Sequence, residues 1–504
     1  MLEHSILGTL YRYWVNSFLF SLLQRIFHPV LDCVRRSAIL RWLLREGWLE
    51  NAYRNSLAAK CVEGCFTLVQ RVLRHFTALT DAAEESAVIR WLRGSVLRFL
   101  GSFEGIFGLF LFVMFVTPHK YWNNLYTVLA AFGFLLVYLL LCAAGRRDYA
   151  SPRILGLGAL LFVLALVLSL GFTADLRDSL RILLFFLASF ALCYVIAADF
   201  RQPEKLRGLL AFLYAALLCV SLYAIAQRAF HLVQANASFT DLKLNVGMPG
   251  RVYSTLDNPI NLSEFVLLFL PLSAAFAAQA KKPFLRVVLA AGLVFPAVAL
   301  VLTYSRGGWL AICIAAVVFT WCCNKRLFPV LVILGLMALP LLPDRIVARL
   351  STIGNTKDTS TRHRLDIWQG VLRMVGDHGR MFTGIGLGPD TFQYYYPFYS
   401  QGIAKVGAYH SQLHYLELVL ETGLLGLLSF LYMMCKYLGR AIRGIRSGLE
   451  AHRLTLIACV SSVAALAFVG LVEYIWFYQR IMFAFFLFLG ILLAAAGKPE
   501  RDAL

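Results

Sequence analysis

Stretches of about 20 predominantly apolar residues recur between positions 104 and 496, each long enough to cross a hydrocarbon core of about 30 Å as a helix. Lipid offers no water to satisfy backbone N–H and C=O groups, so a chain built of such stretches folds as a bundle of helices. The runs read as spans near 104–118, 122–144, 154–173, 179–198, 207–228, 261–280, 284–304, 307–323, 327–343, 412–435, 454–473 and 478–496. The expected fold is an all-α polytopic membrane protein of about 12 transmembrane helices. With 60% hydrophobic and 15% charged residues, the 504-residue length counts spans rather than soluble domains.

The net charge of +19 sits largely between the runs. Nothing resembles a folded basic domain with interleaved aromatics, so nucleic acid is not an expected partner. Placing the basic N-terminus inside makes alternate connections cytoplasmic, and these carry Arg146, Arg147 and Arg153, then Arg201, Lys205 and Arg207, then Lys281, Lys282 and Arg286. Lys325 and Arg326 follow, then Lys436, Arg440, Arg443 and Arg446, and finally Lys498 and Arg501. Every even-numbered exit is basic, which satisfies the positive-inside rule and predicts a multi-pass cytoplasmic (inner) membrane protein with both termini cytoplasmic. None of the 11 cysteines lies in a long polar loop, so neither a disulfide framework nor a metal site is expected.

The chain divides accordingly. Residues 1–100 mix arginines with apolar residues, as in Leu40-Arg41-Trp42-Leu43-Leu44-Arg45, and read as amphipathic helices on an anionic membrane surface. The stretch Trp14 to Leu31 is interrupted by Gln24, Arg25, His28 and Pro29 and has no small-residue cleavage site, so a signal peptide is not expected. Residues 101–343 carry spans with an extracytoplasmic loop at 229–260, residues 344–411 form a large extracytoplasmic loop, and residues 412–504 carry the last spans. In the large loop, Asp366 to Val375 reads as a helix and Gly384-Ile385-Gly386-Leu387-Gly388-Pro389 as a tight turn. A loop of that length without repeats is usually functional.

Arginines stand close to the outer span ends in glycine-rich settings. Arg251 follows Gly247-Met248-Pro249-Gly250 and precedes Asn258-Pro259-Ile260-Asn261, and Arg306 lies in Ser305-Arg306-Gly307-Gly308. Arginines near hydrocarbon need partners, and guanidinium offers phosphate a planar fork of donors; the bland alternative is snorkelling toward headgroups. The large loop adds Thr361-Arg362-His363-Arg364, and its exit reads Tyr409-His410-Ser411-Gln412-Leu413-His414. His410 and His414 share a face if the helix has begun, and a histidine opposite phosphate-binding arginines can serve as a base.

In this order and topology the elements resemble the O-antigen ligase and O-antigen polymerase family of membrane glycosyltransferases. The resemblance runs from about Asn245 to Gly426 and rests on Arg251 before Asn258-Pro259-x-Asn261, on Ser305-Arg306-Gly307, on Arg364 four before Trp368, on the Gly384-x-Gly386-x-Gly388 turn, and on the histidine-rich entry to Glu421-x-Gly423. It implies a donor glycan on undecaprenyl diphosphate at the outer face and a sugar hydroxyl acceptor, lipid-linked or of lipid A-core type. It also implies inversion at the anomeric carbon and neither metal nor cofactor. Arg251, Arg306 and Arg364 would neutralise the diphosphate, His410 or His414 would take the acceptor's proton, and Asn258, Asn261 and Glu421 would support them. One departure stands out. The family's usual histidine lies nine residues before the glutamate, where this chain has Gln412, and glutamine cannot act as a base at neutral pH. His410 is the favoured base, with His414 orienting the acceptor.

Ligase, polymerase and transfer to a protein acceptor are all compatible with the sequence. A transporter or flippase is the rival of a different class, against which stand the absence of an inverted repeat and the scarcity of acidic residues inside spans.

Overall fold

The computed structural model describes residues 36–45, 47–94, 98–234, 250–338, 343–351, 359–377, 380–400, 408–447 and 450–497, together with residue 340 and short pieces before residue 36. Every regular element among them is a helix. Helices begin where the sequence supplies caps. The Ser102 hydroxyl accepts from Gly105 N at 3.1 Å, the Asn123 side chain from Leu125 N at 2.9 Å and the Asp175 carboxylate from Asp178 N at 3.0 Å. Proline opens Pro203–Ala229, Pro259–Ala278 and Pro283–Gly292, where its missing N–H costs nothing.

The protein is a polytopic membrane bundle. Among the described residues, ten helices are long and apolar enough to cross a membrane. The count differs from the expected twelve in two places. Phe103–Val116 has 14 residues, about 21 Å of helix, which is short for a span. The expected eighth and ninth spans form one apolar stretch, Arg306–Met337, interrupted at Lys325–Leu327 by a turn of 3-10 helix.

Side-chain contacts sort the helix ends into two levels. At one level, Arg147 meets Glu104 at 2.7 Å and Asp199 at 3.2 Å, while Lys205 meets the same two carboxylates at 3.0 and 2.8 Å. His452 contacts Arg201 O, Arg453 donates to Cys322 O, and Arg440 donates to Ile154 O there. At the other level, Arg480 donates to Thr117 O at 2.6 Å and the Tyr478 hydroxyl meets His119 Nδ1 at 2.8 Å. Phe103–Val116 therefore runs from one level to the other despite its length. The chain likewise leaves the second level at Arg306, reaches the first at Cys322 and is back beside Arg251 at Arg349. The basic connections that bear Arg147, Arg201, Lys205 and Arg440 gather at the first level.

Gln479–Ala496 is the axis of the bundle, buried along nearly its whole length and packed most extensively on Leu176–Asp199. Around it, Phe162, Phe186, Phe190, Phe430, Trp476 and Phe486 interlock through edge-to-face and tilted ring contacts. The amphipathic helices of the N-terminal region dock on the basic level. The helix Leu57–Leu73 lies against Asn124–Ala143, buried Glu50 accepts from Tyr432 OH at 3.2 Å, and Lys436 donates to Arg45 O at 2.5 Å. The stretch from Trp14 to Leu31 lies mostly outside the described residues.

Candidate active site

The described parts of the two polar loops meet at the second level, where residues far apart in sequence converge. Arg251 sits in extended backbone whose Val252 N–H donates to Leu302 O, and its own Nε donates to Thr303 O at 2.7 Å. This docks it on the segment that leads into Arg306. Arg306 is the first residue of Arg306–Asn324, whose start is fixed by Ser305 Oγ accepting from Gly308 N at 3.2 Å. Asn258 caps Pro259–Ala278 by accepting from Ile260 N at 2.8 Å, and Asn261 donates to Leu256 O at 3.1 Å. Both expected supporting asparagines thus hold the turn that follows Arg251 rather than reaching into the site. Gly247, Met248 and Pro249 lie outside the described residues.

Arg364 comes from Thr359–Gly376, which includes the helix expected at 366–375. One turn on, Trp368 donates its indole N–H to Ser411 O at 2.9 Å and so ties this helix to the segment bearing His410. The three arginines are gathered by an acidic residue absent from the expected set. Arg364 forms an ion pair with Glu473, and Arg251 and Arg306 both lie close enough to act on the Glu473 charge. Burial pushes the Glu473 carboxyl above its ordinary range, against the pull of Arg364, Arg251 and Arg306. The sequence places Glu473 at the end of a span, 454–473, whereas the helix ends at Val469 and leaves Glu473 in the connection before Gln479–Ala496.

A fourth arginine joins the group. Arg349, on the short amphipathic helix Asp344–Ser351, is only 7% exposed and crowds Arg251. Burial first, and then the charges of Arg349, Arg306 and Arg364, bring the Arg251 guanidinium down to about 9, with Glu473 opposing them. Nothing in the sequence singled out Arg349; the helical period of Asp344-Arg345-Ile346-Val347-Ala348-Arg349 was its only signal.

The histidines do not share a helical face. The long helix begins at His414, and Gln412 before it adopts φ 56°. His414 is 2% exposed, with Trp476 edge-on at 4.5 Å and Tyr474 and Phe430 beside it, so it packs at the mouth of the span. His410 is partly buried, its ring 4.3 Å from that of Phe477, and Nδ1 accepts the Gln412 backbone N–H at 3.1 Å. Burial and then the Arg364 charge bring His410 down to about 4, so it is uncharged at neutral pH. The Gln412 side chain accepts from Arg364 Nε at 3.3 Å. The residue at the family's usual histidine position is therefore inside the arginine site.

Glu421 stands apart from the arginines. Its buried carboxylate accepts from Gly388 N at 3.1 Å and from Tyr474 OH at 3.2 Å, which fastens the glycine turn to the span. The turn also donates Ile385 N to Leu420 O and Gly386 N to Glu421 O, at 2.8 and 3.2 Å. The helix breaks at Gly423, with φ 69° and ψ −175°, and a Cβ there would lie 2.0 Å from Phe382 O. Gly423→Ala is accordingly expected to destabilise the protein by about 1–3 kcal/mol, read as a lower melting temperature of the purified protein. An unchanged melting temperature would show that the break relaxes at no cost.

Residues 291–431 match the family described as O-Antigen ligase. The match takes in Arg306, Arg349, Arg364, His410, His414 and Glu421, and leaves Arg251 and Glu473 on either side of it. No curated protein matches the chain.

Proposed function

From the O-antigen ligase domain that this membrane protein carries at residues 291–431, we propose that it transfers a glycan from undecaprenyl diphosphate to an acceptor hydroxyl at the outer face of the cytoplasmic membrane. The observation that carries this reading is the convergence of Arg251, Arg306 and Arg364 at one level of the bundle, beside His410 and opposite the basic connections.

In the transfer, the bond from sugar C1 to the diphosphate oxygen breaks as the acceptor oxygen attacks from the opposite face. Negative charge grows on the leaving diphosphate, and fixed guanidinium groups in a site shielded from water stabilise that charge without reorganising. His410 takes the acceptor's proton. In the resting geometry its Nδ1 holds the Gln412 N–H, which leaves the ring proton on Nε2. The ring must therefore leave this turn to present a free lone pair, and the left-handed Gln412 backbone is where the turn can open. His414, packed among aromatic rings, helps to position the acceptor side of the site. The polyprenyl tail lies along the lipid-facing helices.

Purified protein incubated with lipid-linked oligosaccharides is expected to release undecaprenyl diphosphate and to glycosylate an acceptor added in the same vesicles. Release of neither product would sink the assignment. The orientation has its own test. A cysteine at exposed Gln393, on the helix Pro389–Tyr399, is expected to react with an impermeant maleimide from the outer side of intact cells, above the background of the native thiols. Labelling confined to opened cells would invert the topology.

A further inference from the structure

Four arginines meet at the site, and Glu473 is an acidic residue that acts on Arg251. Its carboxylate pairs with Arg364 and lies within electrostatic reach of Arg306 as well. It enters from the connection between Glu450–Val469 and Gln479–Ala496. A carboxylate presents to guanidinium the same planar pair of acceptor oxygens as a phosphate edge. Burial first, and then the neighbouring arginine charges, weigh against a charged Arg251, so an anion paired into the cluster, as Glu473 is with Arg364, steadies it in the resting state.

We propose that Glu473 is that anion: an internal stand-in for one phosphate of the donor, which holds Arg251, Arg306 and Arg364 in place before donor binding, yields the position to the diphosphate, and retakes it as the product leaves. This rests on the diphosphate reading of the arginines. Arg349 completes the set as a fourth cation, positioned to meet the second phosphate beside Arg251. Displacement of Glu473 lowers the net affinity for diphosphate, which matters most after transfer, when a site of four arginines would otherwise retain its product. Glu473 is a positioning residue in this scheme. Glu264 on Pro259–Ala278, itself buried, feels the Glu473 charge.

The test uses the full chain in nanodiscs and inorganic pyrophosphate as probe, with binding read by calorimetry. Glu473→Gln keeps the size and removes the charge, so pyrophosphate is expected to bind at least about tenfold more tightly than to the wild type. Without pyrophosphate the same variant is expected to melt at a lower temperature, and saturating pyrophosphate is expected to restore the loss. Glu473→Asp, which withdraws the carboxylate by one methylene, is expected to fall between the two and decides the matter alone if the glutamine variant does not fold. Equal or weaker pyrophosphate binding by these variants, beside measurable binding by the wild type, overturns the role of Glu473 while leaving the diphosphate reading intact. Lost glycan transfer with unchanged pyrophosphate affinity does the same and makes Glu473 a base. Pyrophosphate binding by neither wild type nor variant overturns the diphosphate reading, and the inference with it.

Discussion

His410→Ala is expected to lower glycan transfer by about 10²–10⁴-fold at unchanged protein level, the range that a positioned base contributes. The ring lies beside Arg364 and keeps its lone pair at neutral pH, because burial and the Arg364 charge bring its pKa down to about 4. The sign of the pH dependence follows. A base with a depressed pKa is competent above that value and lost as pH falls through it, so wild-type transfer should stay flat across the neutral range and decline only toward about 4. His414→Ala should retain partial activity, since His414 is walled in by Trp476, Tyr474 and Phe430. A dead His414→Ala beside an active His410→Ala would move the base to His414. Full activity in the double variant would remove histidine from the mechanism and leave Glu473 as the remaining candidate.

Arg306→Lys is expected to reduce transfer by about 10²-fold or more while expression holds. Lysine keeps the charge but replaces a planar fork of donors by a point charge, and the diphosphate needs several oxygens held at once. Arg306 is also the first residue of its helix, so its guanidinium starts from a backbone fixed by the Ser305 cap and the docked Arg251 segment. Transfer that survives the lysine substitution would reduce Arg306 to a residue that snorkels toward headgroups. Measuring donor KM and kcat separately distinguishes lost binding from lost stabilisation of the leaving group.

The periodicity of apolar runs carried most of the architecture, because twenty residues without charge have few other places to go. The charge of the connections carried which helix ends lie together, and the cluster of Glu104, Arg147, Asp199 and Lys205 is the physical form of that pattern. Glycine spacing in Gly384-x-Gly386-x-Gly388 was legible as a turn, since left-handed backbone is cheap only for glycine. What it docks on was not legible. The partners Leu420 and Glu421 lie more than thirty residues on, and no local pattern links the two segments. Glu473 escaped notice for a related reason: in sequence it is a lone acid at the edge of an apolar run, and its meaning comes only from arginines more than one hundred residues away. The expected span began at 412, whereas the helix begins at His414 and the Gln412 side chain before it accepts from Arg364.

The break at Gly423 also bears on how the protein is made. A discontinuous helix leaves the Leu420 and Glu421 carbonyls without their intrahelical donors in a buried segment, and the N–H groups of Ile385 and Gly386 supply the replacement. Those donors leave the ribosome first and wait for the segment that needs them. The order of synthesis therefore becomes a checkpoint: the segment around the glycine turn acquires its final shape only once His414–Arg446 is in place, and a chain stalled before residue 446 would present that segment to proteases. Protease sensitivity of nascent chains of increasing length should drop in one step as Leu420 to Gly423 enter the bilayer.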